Sequence, residues 1–187
     1  MKKVFILSGP SWVGKTTIWE QFDKQYNNWR IKKVITTTTR KKRDYEVDWE
    51  DYYFLSIDSF RKKIKNKDFI EYAEVHNNFY GSTYEELDNI LDNKQIPLYI
   101  VDPQWVRYLK DTLKWVYDVK TIFILPPNEE ILKDRLIKRG EDENSENFRI
   151  RVNESLIWLE WKDSYDYNII NNDLDRGVKE FKNIILG

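Results

Sequence analysis

Eight residues near the start of the chain, Gly9-Pro10-Ser11-Trp12-Val13-Gly14-Lys15-Thr16, fit the pattern G-x-x-x-x-G-K-[ST]. This pattern constrains the fold because it works as the turn between a strand and a helix. Its flanks suit that geometry: Val4–Leu7 is a short apolar run closed by Ser8-Gly9-Pro10. From Lys15 to about Tyr26, the spacing of Ile18, Trp19 and Phe22 gives one apolar helical face. In such a turn the backbone N–H groups and the helix N-terminus surround a polyphosphate with positive partial charge. Gly9 to Thr16, with Thr17 following, are therefore the expected ATP-binding residues, Lys15 reaching the β- and γ-phosphates and Thr16 a Mg²⁺ ion. Asp102 ends the apolar run Pro97–Val101, where a carboxylate lies beside the loop and can hold the metal directly or through water. A helix N-cap before Pro103 is its plainer role, and the two are compatible.

Further along, apolar runs at Pro97–Val101 and Thr121–Leu125 read as buried parallel strands, and Tyr167–Ile170 as the last strand. Helices are expected over Tyr84–Asn93, Glu129–Arg139 with Gly140 as C-cap, about Phe148–Lys162, and Leu174–Ile185. Strands alternating with helices predict a parallel sheet covered on both faces. Residues 31–83 break this rhythm with Ile31–Thr39, Tyr52–Leu55 and Phe69–Val75 as strands and a basic helix at Phe60–Lys67. They read as a subdomain with antiparallel strands inserted into the α/β core.

Composition removes several classes. The 187 residues suit one domain with a real core, and the absence of Cys excludes Fe–S chemistry, a thiol nucleophile and a disulfide scaffold. With 31 Lys plus Arg against 32 Asp plus Glu, there is no general electrostatic drive toward nucleic acid or an anionic membrane. No apolar run approaches the roughly 18–20 residues needed to span a bilayer. Met1-Lys2-Lys3 and its short apolar run pass directly into the glycine motif, unlike a signal peptide, and a cytoplasmic domain is expected. His76, the one histidine, reads as a surface residue.

A phosphoryl-transfer site also needs cations around the acceptor. Thr36 to Thr39 followed by Arg40-Lys41-Lys42-Arg43 supplies hydroxyls and two arginines; a solvated basic turn is the bland alternative. Tyr52, Tyr80 and Ser82 could complete a phosphate cage, and Glu71 could accept from a base edge with two adjacent N–H donors, as guanine has. Arg135 and Arg139 are four residues apart and share a helix face.

Together these segments resemble the guanylate kinases. Gly9-Pro10-Ser11 with Gly14-Lys15 resembles their phosphate loop, and Thr38-Thr39-Arg40, Arg43, Glu46 and Asp51-Tyr52-Tyr53-Phe54 their GMP-phosphate segment. Phe69-Ile70-Glu71-Tyr72-Ala73 and Asn78-Phe79-Tyr80-Gly81-Ser82 resemble the base-reading segment. Arg135-Leu136 with Arg139-Gly140 resembles the lid, and Tyr165-Asp166-Tyr167 through Asn171-Asn172-Asp173 the closing strand.

The resemblance implies an α/β fold: a three-layer P-loop core (1–33 and 96–187), a mixed β/α GMP-binding insertion (about 34–95) and a helical lid (about 135–151). It implies Mg²⁺-dependent transfer from ATP to GMP, with Thr36, Arg40, Arg43, Tyr52, Glu71, Tyr80, Ser82 and Asp102 on the GMP side. Lys15, Arg43, Arg135 and Arg139 would carry the catalytic charge, with Arg151 a weaker candidate, and Thr16 and Asp102 the metal. No nucleic-acid, membrane or protein partner is implied. Two other readings stay open: a binding module that has lost ATP chemistry, and a P-loop kinase for another phosphorylated acceptor.

The chain departs from the family at Trp12, Trp49 and Trp105, where glycine is the family residue. It holds eight Trp and only six Gly, about 3% where about 7% is usual. A bulky residue at a left-handed loop position costs roughly 1–2 kcal/mol. UGA lies one base from the glycine codon GGA and differs in meaning between genetic codes, so these tryptophans read either as recoded glycines or as genuine divergence. Ile100 stands where the family often has a second acid, and Lys42 where proline is common.

Overall fold

The computed structural model describes every residue except Ser11, His76 and Arg139. The expectations for Ser11 in the loop, Arg139 in the lid and His76 on the surface therefore lie outside the described residues.

The first strand, β1 (Lys3–Ser8), turns through the glycine motif into α1 (Lys15–Tyr26). β2 (Ile31–Lys33), β7 (Ile96–Ile100), β8 (Asp118–Leu125) and β9 (Tyr167–Ile170) complete one sheet, in the order β2-β7-β1-β8-β9 with every pairing parallel. The expected layering holds. Alternate residues of β1 serve opposite cores: Phe5 and Leu7 join one apolar cluster, Val4 and Ile6 the other. The first cluster gathers Ile18, Trp19 and Phe22 of α1 with Val178, Phe181 and Ile185 of α7 (Leu174–Leu186). Phe22 meets Phe181 edge-on with ring centres 5.2 Å apart. The second gathers Leu87, Ile90 and Leu91 of α3 (Tyr84–Asp92) with Val106, Leu109 and Leu113 of α4 (Pro103–Leu113). Each such buried side chain contributes about 1.5–3 kcal/mol, which fixes the strands' carboxyl ends in place.

A second sheet, β4-β3-β6-β5, stands beside the first. It comprises β3 (Thr37–Thr38), β4 (Tyr53–Phe54), β5 (Phe69–Val75) and β6 (Asn78–Thr83), with α2 (Ile57–Lys65) lying between β4 and β5 in the chain. The strand expected over Ile31–Thr39 is two strands in different sheets, broken after Lys33. Nor is the second sheet wholly antiparallel, since β3 and β4 run parallel. Helix α2 begins earlier than its apolar spacing suggests, because Ser56 caps it by accepting from Ser59 N.

After β8 come α5 (Glu129–Lys138) and α6 (Glu146–Leu159), the latter ending in a single turn of tighter helix, Glu160–Ser164. Leu136, Phe148 and Val152 form a small separate core between α5 and α6, with Trp12 and Leu156 against it. No helix among the described residues is long and apolar enough to cross a membrane.

Candidate active site

The turn between β1 and α1 is built around two glycines with positive φ, Gly9 at 148° and Gly14 at 97°. Gly14 is also the N-cap of α1, and no side chain caps that helix end, so its first N–H groups face outward for an anion. A side chain at position 14 would collide with the Asn171 amide, which donates to the carbonyl oxygen of Val13 at 2.7 Å. Arg135 reaches the same carbonyl from Nη1 at 3.2 Å and donates from Nη2 to Asn171 O at 2.9 Å. Loop, closing strand and α5 are thereby held by one guanidinium.

Lys15 Nζ lies 2.6 Å from Gly9 O, 3.1 Å from Pro10 O and 3.2 Å from Asp102 Oδ1. Asp102 has the backbone of an N-cap for α4 yet makes no capping hydrogen bond. Its carboxylate turns to Lys15 instead, while its backbone still opens α4. Thr16 is exposed in the first turn of α1, and Thr17 is half-buried beside it.

Arg135 of α5 sits at the loop, whereas Arg151 of α6 is paired with Glu141 at 2.9 Å. That pairing occupies the weaker of the sequence candidates. Trp12, half-buried, packs against the Leu136–Phe148–Val152 core, so the loop's bulky residue contacts α5 and α6.

The acceptor-side candidates collect on one face of the second sheet. Side chains two apart on a strand share a face, as Tyr52 and Phe54, and Tyr80 and Ser82, do; Arg40, beyond the end of β3, reaches the same side by its contacts with Tyr52 and Phe54. Register then brings them together: Thr38 is opposite both Phe54 and Tyr80, and Glu71 is opposite Ser82. The Arg40 guanidinium lies 5.4 Å from the Tyr52 ring centre and 5.8 Å from that of Phe54. The Tyr52 and Tyr80 rings are 6.2 Å apart. Ser82 Oγ donates to Glu71 Oε1 at 2.9 Å in a buried pair. Burial raises the Glu71 carboxyl above its usual range, and the hydrogen bonds from Ser82 only partly oppose this. Burial likewise raises the Tyr52 hydroxyl, and the nearby Asp102 charge adds to the rise. Asp102 thus faces both groups, paired with Lys15 and within electrostatic reach of Tyr52.

Arg43 is placed differently. Its side chain is mostly exposed, with Nη1 donating to Tyr45 Oη at 2.9 Å. Thr36 precedes β3 and takes part through its backbone, its carbonyl accepting from Tyr53 N at 2.9 Å.

Three further residues shape this region. Glu46 accepts from Arg40 Nη2 at 2.6 Å and Nη1 at 3.0 Å, and from Arg43 N at 2.8 Å. The Arg40 guanidinium above all holds the Glu46 carboxyl below its usual range. Asn171 locks the loop as described, and Tyr99, fully buried in β7, lies close enough to Ser82 and Glu71 to feel both. The Arg43–Glu46 spacing was a visible cue for the first; Asn171 and Tyr99 come together with the site only through the fold.

Among the described residues no group of three or more His, Asp or Glu side chains could hold a metal by itself. Thr16 and Asp102 are two oxygen donors at the loop, a set suited to a hard cation that keeps water and substrate phosphate as its other ligands.

The guanylate kinase family model matches residues 1–186. The guanylate kinase of Rickettsia prowazekii is 38% identical over 183 residues, covering 98% of this chain and 90% of the relative. That of Mycoplasma mobile is 37% identical over 187 residues, covering 98% and 92%. The crystal structure of guanylate kinase from Anaplasma phagocytophilum superposes with a TM-score of 0.73 at 28% identity, covering 99% of this chain and 85% of that one. A phosphate loop with its lysine held by Asp102, and a second sheet whose one face carries Arg40, Tyr52, Glu71, Tyr80 and Ser82, accord with these matches. The chain belongs to the guanylate kinase family.

Proposed function

We propose that this protein transfers the γ-phosphoryl group of ATP to GMP, giving ADP and GDP in the cytoplasm. The supporting observation is Glu71: a buried carboxylate, held by Ser82 at 2.9 Å, on the same sheet face as Arg40 and the two tyrosines. A carboxylate there can accept from two adjacent N–H donors, which a guanine edge offers and an adenine edge does not.

ATP enters with its phosphates in the turn formed by Gly9 to Thr17. Lys15 exchanges the Gly9 and Pro10 carbonyls for the β- and γ-phosphate oxygens, an ammonium already positioned at the first turn of α1. GMP lies on the second sheet, its phosphate met by Arg40, Arg43, Tyr52, Tyr80 and Ser82 and its base by Glu71, with Thr36 and Asp102 nearby. A GMP phosphate oxygen forms the new bond to γ-phosphorus while the bond to the β–γ bridging oxygen breaks and that oxygen leaves with ADP. The attacking oxygen is already anionic, so no base has to take a proton. Arg135, and Arg139 four residues on, neutralise charge on the moving group. Thr16 and Asp102 would hold Mg²⁺, which supplies further neutralisation of the phosphate oxygens. We assign residues 1–33 and 96–187 to the core, about 34–95 to the GMP-binding insertion and about 135–151 to the lid.

Rate then comes from positioning and electrostatics, and from exclusion of water when the lid closes. Lys15 and Asp102 in contact weigh against a module that only binds, which has no use for that pair. Coupled measurement of ADP formation with GMP, AMP and UMP as acceptors tests the proposal. Turnover with GMP far above the others is expected; equal turnover with AMP, or ADP formation with none of them, would refute it.

A further inference from the structure

Among the described residues, seven other than glycine have positive φ, and three of them are tryptophans: Trp12 at 68°, Trp29 at 62° and Trp49 at 74°. Large side chains seldom take this conformation; Asn, Asp and above all Gly supply it. The other four have ordinary reasons. Asn28 and Asn77 are tolerant residues. Lys67 and Lys94 each follow the C-cap of a helix, where the backbone turns left-handed to close the helix end. At the latter, Gln95 N bonds to Ile90 O at 3.1 Å and Lys94 N to Leu91 O at 3.0 Å.

The tryptophans sit where turn geometry asks for glycine. Arg30 N bonds to Asn27 O at 3.0 Å, closing a turn whose two central residues, Asn28 and Trp29, both have positive φ. That is the turn for which Asn-Gly is the preferred pair, with glycine at the place Trp29 holds. Glu50 N bonds to Val47 O at 3.3 Å, closing a second turn with Trp49 third and alone in having positive φ. A turn of that kind takes glycine at its third residue. Trp12 lies in a loop that must wrap a phosphate with bare backbone. Nor does packing supply a reason at two of these sites: Trp29 is 83% exposed and Trp49 70% exposed. The same backbone argument does not extend to Trp105, which is right-handed within α4.

We propose that positions 12, 29 and 49 are glycine in the protein its source cell makes, each encoded by a UGA codon decoded there as glycine rather than tryptophan. The scarcity of glycine fits: six Gly beside eight Trp, in a fold whose turns demand left-handed residues. The proposal stands on backbone angles and turn closure, whatever acceptor the active site takes.

Peptide mass spectrometry of the protein isolated from its own cells reads each position directly. Glycine at 12, 29 and 49 is expected; tryptophan at any of the three overturns the proposal. A second measurement uses the tryptophan-containing chain expressed in a host that inserts Trp at these codons. Trp29→Gly and Trp49→Gly are expected to raise its thermal midpoint, although each removes a large side chain and Trp49 also gives up an edge-on contact with Tyr53. Trp115→Gly serves as control, being 79% exposed without positive φ, and is expected to lower the midpoint. A fall for Trp29→Gly as large as the control's would contradict the conformational argument.

Discussion

Lys15 Nζ lies 3.2 Å from Asp102 Oδ1 and 2.6 Å from Gly9 O, so one ammonium joins the turn after β1 to the end of β7. Asp102 in turn acts electrostatically on Tyr52 of the acceptor-side face. The Asp102 carboxylate is therefore held by Lys15 while its charge is also felt at Tyr52.

Glu46 orients Arg40 by a two-point ion pair, and the pair is largely withdrawn from water. Glu46→Gln should raise the KM for GMP by about tenfold and cost about 1–3 kcal/mol of stability, since a charged partner is left poorly matched. The carboxyl is held below its ordinary value of 4.5, so its stabilisation is full above that value and fades as pH falls through the lowered one. Denaturation midpoints measured across the acid range should fall more steeply for wild type than for Glu46→Gln. Parallel slopes would refute this coupling.

Glu71 shifts the opposite way, its carboxyl raised by burial. GMP should bind to the charged form, so affinity is present above the raised value and lost as pH falls through it. The KM for GMP, followed from about pH 8 to about pH 5, should climb more steeply in wild type than in Glu71→Gln, since protonation of the GMP phosphate itself at about pH 6 raises both. That variant should also discriminate less between GMP and AMP. Equal pH slopes in wild type and Glu71→Gln would remove the role given to Glu71.

Arg135 donates to Val13 O of the loop and to Asn171 O. Arg135→Ala should lower kcat by about 10²–10³-fold, in the range for losing one preorganised charge donor. The KM for GMP should change little, because the guanidinium sits on the loop side. Kinetics in which KM for GMP rises while kcat holds would move Arg135 to the acceptor half.

Trp12→Gly frees the loop of a left-handed bulky residue worth roughly 1–2 kcal/mol of strain, while surrendering a contact with the Leu136–Phe148–Val152 core. Strain at the phosphate loop should dominate, and kcat/KM for ATP should rise by up to about tenfold. A fall in kcat/KM would show that the indole has become part of a working lid.

Much of this was legible in the chain because it is local. The glycine motif names its own strand and helix, and the parallel strands are apolar on both sides, as Val4 to Leu7 shows. Helix α4 was missed, although Pro103 at its first turn and Val106, Leu109 and Leu113 at helical spacing marked it. β6 could not be read, because Asn78 to Thr83 lacks apolar alternation and is a strand by virtue of partners on both sides. The break within Ile31–Thr39 carries no local sign either; the run stays β-branched while the chain leaves one sheet for another. At the site, residue types announced a cation set, but the pairing of Arg40 with Glu46 and the locking of Val13 O by Asn171 arise from the fold.

The most direct measurement is the kinetic split in Lys15→Ala. Turnover should fall by orders of magnitude while the affinity for GMP, titrated calorimetrically, stays close to wild type, because the ammonium belongs to the ATP half. Loss of GMP binding in that variant would contradict a site built from two separable anion pockets.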